Sequence, residues 1–156
     1  MTVRPARVAD VPTLVALIRL HAERGKMVPR PADELYTQIR SYVVAEESGR
    51  IVGCAATHVF WHDLAELKGL AVAEGWEGRG IGRAVCLACH EQLRQLGVSR
   101  VFALTGSPGF FEKLGYRRVN KDELPRFIWG ECVRCPSFPI CNEEALVLEL
   151  ATPACP

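Results

Sequence analysis

The sequence lacks the features that mark several large classes of protein. No apolar run approaches the roughly 20 residues that a membrane-spanning helix needs, and the N-terminal stretch has no apolar core of the kind found in a signal peptide. The net charge is only +1, so no overall electrostatic attraction favours nucleic acid or an anionic membrane. Repeats and low-complexity tracts are also absent. These absences predict a cytoplasmic globular protein without nucleic-acid or membrane partners.

The 156 residues suit a single domain over 1–156 with a sizeable core. In the cytoplasm the seven cysteines should be mostly reduced. Cys132, Cys135 and Cys141 lie close in sequence, and they could bind a metal with Cys155 or a histidine as fourth ligand, form a disulfide on isolation, or stay free. We assign no metal to them. The remaining cysteines are predicted to be small core residues: Cys54, Cys86 and Cys89.

Residues 67–83 combine three elements that favour an anion site. An apolar strand ends at Val72, and a glycine-rich turn leads into a helix predicted to continue to about Gln95. The turn holds Gly75, Gly78, Gly80 and Gly82. Glycine-rich turns can also simply reverse the chain. With a strand before and a helix after, however, backbone N–H groups and the helix dipole converge on the turn, which favours a pyrophosphate site.

The glycine spacing departs from two common phosphate-binding patterns. It is not GxxxxGK[ST], and Arg83 breaks a GxGxxG match. The segment instead resembles motif A of the GNAT acetyltransferase superfamily, in which a Gln/Arg-x-x-Gly-x-Gly/Ala loop follows a strand ending in Ala-Val and binds the pyrophosphate of acetyl-CoA. Glu77 stands at the usual Gln/Arg position, and a carboxylate there should repel pyrophosphate unless it points away.

The predicted order of elements, βααβββαβαβ, fits the same superfamily. It implies an α+β fold, an α/β/α sandwich with a mixed, mostly antiparallel sheet of about six to seven strands and about four helices. Strands are predicted at 2–6, 42–46, 51–61, 64–72, 101–105, 116–119 and 145–150. Helices are predicted at 33–40, 81–95 and 108–114, and in a first segment that Asp10 caps and Gly25 ends.

The resemblance narrows to short, single-domain amino-acid acetyltransferases related to N-acetylglutamate synthase. It is carried by residues 52–59, 63–72 and 101–105, and it covers most of the chain. It implies an acyltransferase that uses acetyl-CoA as co-substrate and needs no metal for catalysis. The implied acceptor is an amino acid, with L-glutamate as the best candidate, giving N-acetyl-L-glutamate for arginine biosynthesis. The implied partners are this small substrate and a second copy in a homodimer, although no segment marks an interface.

The resemblance also implies roles for individual residues. Glu66 would remove the proton of the substrate ammonium, directly or through water; the alternative is an ordinary edge-strand carboxylate. The backbone N–H of Leu70 would polarise the thioester oxygen. Strand alternation predicts Glu66, Lys68, Leu70 and Val72 on one face of the strand. A substrate carboxylate would be bound by Lys68, Arg30 and Lys26.

Acetyl-CoA would contact the end of this strand, the turn and the short helix near 111. The predicted contacts are Leu70, Ala71, Val72, Glu77, Gly78, Arg79, Gly80, Ile81, Gly82, Arg83 and Phe111. Residues 110–116 resemble the superfamily's (Leu/Phe)-Tyr-Glu-Lys-x-Gly-Phe/Tyr segment, and Phe111 stands where many members carry a tyrosine that protonates the thiolate. Phenylalanine cannot donate a proton. The alternatives are an acyltransferase for another small amine or a protein, and a non-catalytic module that binds or senses CoA.

Overall fold

A seven-stranded mixed sheet forms the centre of the computed structural model, which describes residues 1–23, 30–126, 128 and 143–150. The strands are β1 Thr2–Pro5, β2 Tyr42–Glu47, β3 Arg50–Trp61, β4 Leu64–Val72, β5 Arg100–Thr105, β6 Arg117–Val119 and β7 Glu144–Glu149. They lie in the order β1-β2-β3-β4-β5-β7-β6. The pair β4–β5 is parallel, and the other neighbouring strands of the described chain are antiparallel.

Four α-helices of the described residues cover the two faces of this sheet. They are α1 Val11–Glu23, α2 Ala32–Thr37, α3 Ile81–Leu96 and α4 Pro108–Lys113. α1 and α2 bury apolar side chains against one face, and α3 and α4 bury theirs against the other. The predicted α+β sandwich with a mostly antiparallel sheet is therefore confirmed. Within the described residues, no helix is both long enough and apolar enough to cross a membrane.

The start of α1 differs from the prediction. Asp10 does not cap α1 in the usual way, because its carboxylate accepts the backbone N–H of Arg7 at 2.7 Å, ahead of a short 3-10 turn over Val8–Asp10. The same carboxylate bonds Arg4 of β1 at 2.8 Å. The Arg4 guanidinium lowers the pKa of Asp10 below its ordinary value. These contacts fasten α1 to the edge of the sheet.

α3 begins close against the ends of β3 and β4. A methyl group added at Gly53 of β3 would lie 2.5 Å from Cγ2 of Ile81, so only glycine lets the helix approach the sheet this closely. One added at Gly82 would lie 3.3 Å from the Phe110 ring and 3.7 Å from Val72. The N-terminus of α3 is therefore fixed beside the last residue of β4.

Candidate active site

β4 and β5 separate near the middle of the sheet. They pair in parallel from Leu64 to Glu66, where Glu66 lies opposite Phe102. Both strands then continue, to Val72 and Thr105 respectively, without further pairing between them in the described part of the chain. The second half of β4 thus has an open backbone edge, and such an edge accepts an extended group as if it were another strand.

A β-bulge interrupts β4 within this open segment. Lys68 lies opposite Ala56, and Ala71 lies opposite Cys54. Between these pairs β4 has one residue more than β3, which is the defining feature of a bulge. Gly69 accommodates the extra residue with a φ of 65°, a conformation that disfavours a side chain.

The bulge overturns the predicted faces of β4. Leu70 and Val72 pack with Leu67 in the cluster beneath α3, whereas Ala71 packs beneath α1 and α2. The prediction that Leu70 and Val72 share a face with Glu66 is therefore wrong. An inserted residue shifts the alternation of side chains by one position, so every residue after it changes sides.

Glu66 lies where β4 and β5 part. Its neighbours across the sheet are His58 on β3 and Phe102 on β5, and the residue is only 9% exposed. The His58 ring contacts Phe60, with centroids 4.4 Å apart. A buried carboxylate at the point where two strands part can exchange a proton with a molecule bound between them.

Val72 presents its backbone to the same open edge. Ala73 donates its N–H to the carbonyl of Val52 at 2.8 Å. The adjacent pair, Val72 and Gly53, is therefore a non-hydrogen-bonded pair of the antiparallel ladder. The N–H and C=O groups of Val72 thus point away from β3. The Val72 carbonyl oxygen lies 3.0 Å from Nε2 of His21 on α1. Because a carbonyl only accepts, this nitrogen carries the hydrogen. His21 is half-buried and contacts the open edge directly.

The turn after β4 ends in two left-handed glycines. Gly78 has a φ of 75°, and Gly80, which immediately precedes α3, has a φ of 81°. The first helical bond runs from Ala84 N–H to the Gly80 carbonyl at 3.0 Å, and no side chain caps the helix at Gly80. The N–H groups of the first helical turn therefore have no helical carbonyl to bind. Together with the helix dipole, they form a ready anion site.

Two charged side chains of this turn have defined partners. The Glu77 carboxylate accepts the backbone N–H of Gly75 at 2.9 Å. The Arg79 guanidinium lies 4.6 Å from the centre of the Trp76 ring, in a cation–π contact. The carboxylate is thus bound to the first residues of the turn, and its effect on an anion at α3 stays a prediction.

The two described cations of the predicted acceptor site lie on the α1–α2 side of the sheet. Lys68 is the cross-strand partner of Ala56, which packs in the same cluster as Leu35 of α2, and cross-strand partners share a face. Arg30 precedes α2 and forms an ion pair with Glu34 at 3.1 Å, with 8% of its side chain exposed. Lys68 therefore lies on the same side of the sheet as Glu66, and Arg30 lies next to α2, which packs on that side.

Phe111 is a core residue, 5% exposed. Its ring makes edge contacts with Phe110 and Tyr116, each at 5.1 Å. The Tyr116 hydroxyl bonds Nε2 of His90 at 2.7 Å. Burial raises the pKa of Tyr116, and burial, followed by the charge of Arg94, lowers the pKa of His90 to about 4. The contact of Phe111 with acetyl-CoA stays a prediction.

The described cysteines are buried, as predicted. Burial raises the pKa of Cys54 and of Cys86 to about 12, and it raises that of Cys89 as well. Among the described residues, no group of His, Cys, Asp and Glu is placed to hold a metal. Several predicted site residues lie outside the described residues: Lys26, Cys132, Cys135, Cys141 and Cys155.

Comparison with known proteins identifies the family. The acetyltransferase (GNAT) family profile matches residues 14–116. The chain belongs to the GNAT acetyltransferase family. An uncharacterized N-acetyltransferase of Chlorobaculum tepidum is 36% identical over 148 residues, which cover 95% of this chain and 96% of that protein. An amino-acid acetyltransferase of Mycobacterium tuberculosis is 34% identical over 97% of this chain and 87% of its own length. The predictions of the superfamily and of an acyltransferase are confirmed.

Two solved structures share the GNAT fold of this chain closely. A Mycobacterium tuberculosis protein in complex with CoA and NLQ superposes with a TM-score of 0.84 at 28% identity, over 97% of this chain and 100% of the other. N-acetylglutamate synthase of Neisseria gonorrhoeae, complexed with coenzyme A and N-acetyl-glutamate, has a TM-score of 0.88 at 29% identity. That match covers 96% of this chain and 35% of the synthase, so the likeness is to one part of the larger protein.

Sequence reasoning missed two contacts with β4. Cys54 donates its thiol hydrogen to the Gly69 carbonyl at 3.3 Å, and His21 bonds Val72. Both residues lie in apolar stripes, which predict core positions without indicating what a polar atom there would bind. The available signal was a position facing β4, and using it requires knowing which helix covers that strand.

Proposed function

We propose that this GNAT protein is an acetyl-CoA-dependent amino-acid N-acetyltransferase that converts L-glutamate to N-acetyl-L-glutamate for arginine biosynthesis. The observation that carries the proposal is the open edge of β4. It begins beside a buried carboxylate, Glu66, and leads to a glycine-rich turn and the N-terminus of α3. A long molecule with an anionic end and a reactive end fits this order of features.

The open edge would hold the co-substrate largely through main-chain groups. The N–H groups of residues 78–83 would bind the pyrophosphate, and the backbone of Val72 would pair with the pantetheine arm. Trp76 holds Arg79 in place beside the anion site. Support for this assignment comes from the relatives of M. tuberculosis and N. gonorrhoeae, which were both crystallised with coenzyme A.

The reaction would be a direct transfer within a ternary complex. Glu66 accepts a proton from the substrate ammonium, and the neutral amine attacks the thioester carbon. The N–H of Leu70 stabilises the negative charge that develops on the thioester oxygen. The new C–N bond forms as the C–S bond breaks, the nitrogen releases its second proton to solvent, and the CoA thiolate leaves. Because Phe111 cannot supply a proton, the thiolate leaves unassisted or takes a proton from another donor.

The acceptor's carboxylate groups would bind the cations on the α1–α2 side. Lys68 and Arg30 lie on that side with Glu66, so a substrate held there by a carboxylate would bring its amino group near the base. Lys26 is proposed to belong to the same set. Two relatives support an amino-acid acceptor: the M. tuberculosis amino-acid acetyltransferase and the gonococcal synthase bound to N-acetyl-glutamate.

Two measurements, made one after the other, test the proposal. Calorimetry should detect binding of acetyl-CoA and CoA, and a thiol-release assay over the twenty amino acids should then give the highest kcat/KM for L-glutamate. Absence of CoA binding at millimolar concentration would contradict the whole proposal. Turnover of a different amino acid would change the substrate and keep the reaction, whereas binding without turnover of any acceptor would favour a CoA-sensing module.

A further inference from the structure

Cys54 connects the centre of β3 to the bulge of β4. Its Sγ donates to the Gly69 carbonyl oxygen at 3.3 Å. Cys54 is fully buried. The thiol therefore contacts the main chain of β4 immediately before Leu70.

The acceptor carbonyl belongs to the same peptide unit as the N–H of Leu70. A peptide unit is planar and trans, so its C=O and N–H bonds point in opposite directions. Because the Gly69 carbonyl is directed at Cys54 on β3, the Leu70 N–H is directed away from β3. A hydrogen bond to the carbonyl also polarises the peptide and strengthens the N–H as a donor.

The surroundings leave this peptide unit little freedom. Gly69 has a φ of 65°, and a methyl group added there would lie 3.4 Å from Cε1 of Tyr42, which is 1% exposed. Burial raises the pKa of Cys54 to about 12, so near neutral pH the thiol keeps its hydrogen and remains a donor. A rigid support with one hydrogen bond thus sets the orientation of the unit.

We propose that Cys54 is a positioning residue, whose hydrogen bond to Gly69 aims the Leu70 N–H at the thioester oxygen. The inference rests on the proposed function, which gives that N–H its role. Cys54 itself touches neither substrate. It acts through the Gly69–Leu70 peptide, and its contribution should therefore fall on the chemical step and leave binding of the co-substrate unaffected.

The test compares variants that keep or lose the donor. Cys54→Ser retains a hydroxyl donor, Cys54→Ala loses it, and Cys54→Val loses it while filling the space. We expect Cys54→Ala and Cys54→Val to lower kcat on the order of tenfold, with the Kd of CoA unchanged within twofold. Cys54→Ser should restore most of the rate. Cys86→Ala is the matched control, because Cys86 is equally buried but lies in α3.

A second readout reports on the peptide itself. The ¹⁵N chemical shift of the Leu70 amide should move in Cys54→Ala and Cys54→Val, and it should stay close to the wild-type value in Cys54→Ser and Cys86→Ala. Equal losses of kcat in Cys54→Ala and Cys86→Ala would overturn the inference, as would an unmoved Leu70 shift. A wild-type protein that binds CoA and acetylates nothing would overturn the proposed function and this inference together. Wild-type turnover with an unchanged rate in Cys54→Val would overturn the inference alone.

Discussion

The two ends of the open edge of β4 are built in different ways. At the α3 end, the proposed binding groups are main-chain N–H donors whose directions are set by glycines and by the helix. At the Glu66 end, the proposed chemistry depends on a few side chains, Glu66, Lys68 and Arg30. Main-chain sites are disturbed chiefly by changes in backbone conformation, whereas side-chain sites can be changed by one substitution. The α3 end therefore suits a constant co-substrate, and the Glu66 end suits a variable acceptor.

The largest effect is expected from the base. Glu66→Gln should lower kcat about 100-fold near neutral pH, since general-base catalysis typically contributes about that much. The defect should shrink at high pH, where more of the substrate amine is already neutral. Stopped assays across the pH range would measure it. Glu112→Gln is the control, because Glu112 is exposed and pairs with Arg118 at 3.0 Å. A wild-type rate at every pH would remove the base assignment.

The next largest effect is expected from a substitution that changes the backbone conformation of the anion site. Gly80→Ala places a side chain at a φ of 81°, which costs about 1–2 kcal/mol. It should shift the N–H groups of the anion site and raise the Kd of CoA roughly tenfold, as measured by calorimetry. Saturating acetyl-CoA should restore kcat. Gly97→Ala introduces the same strain at the other end of α3, where φ is 87°, and it should leave CoA binding intact. Equal losses in both variants would mean that only helix stability matters.

Lys68→Ala examines the acceptor end. The KM of the amino acid should rise about tenfold, because a hydrogen bond to a charged group contributes about 1.5–3 kcal/mol. The Kd of CoA should not change. Lys113→Ala, an exposed lysine of α4, is the control for loss of positive charge. If acceptor and CoA binding weaken together, the two ends are not independent, and the comparison between them fails.

A smaller effect of opposite sign on CoA binding is expected from Glu77, in the turn before α3. Glu77→Gln removes a negative charge that lies in the turn before α3, so the Kd of CoA should fall about threefold, in keeping with the modest energy of solvated charges. The difference between variant and wild type should decrease as salt is added. An unchanged Kd at low salt would show that the contact with Gly75 already keeps this charge from the ligand.

A change in the buried part of α3 should alter the stability of the protein and have the smallest effect on activity. This helix supports both ends of the open edge of β4. His90 has its pKa lowered to about 4 by burial, against an unfolded value near 6.5. The unfolded chain therefore binds more protons between these values, and the free energy of unfolding should fall on the order of 2 kcal/mol as pH drops from 6.5 to 4. Denaturant melts should show a shallower fall in His90→Gln. A pH profile identical to that of the wild type would contradict this.

How far the sequence predicts this molecule differs between its parts. The strand predicted at 64–72 has the same bounds in the structure, and the helix predicted at 81–95 ends one residue later, because an apolar run and a glycine-rich turn are local signals. The bulge at Gly69 is not local. It depends on pairing with β3 and on the support from Cys54, so strand alternation misplaced Leu70 and Val72. The arrangement of β7 between β5 and β6 likewise depends on packing across the sheet.

The separation of β4 from β5 also bears on the stability of the fold. Strands β1–β4 form one ribbon and β5–β7 form another, joined by a short parallel ladder that ends at Glu66 and by the cluster beneath α3, which draws residues from both ribbons. An extended molecule lying between the ribbons would bridge them like a removable strand. The bound molecule would then contribute to the stability of the fold, and the protein would be most rigid while its substrate is bound.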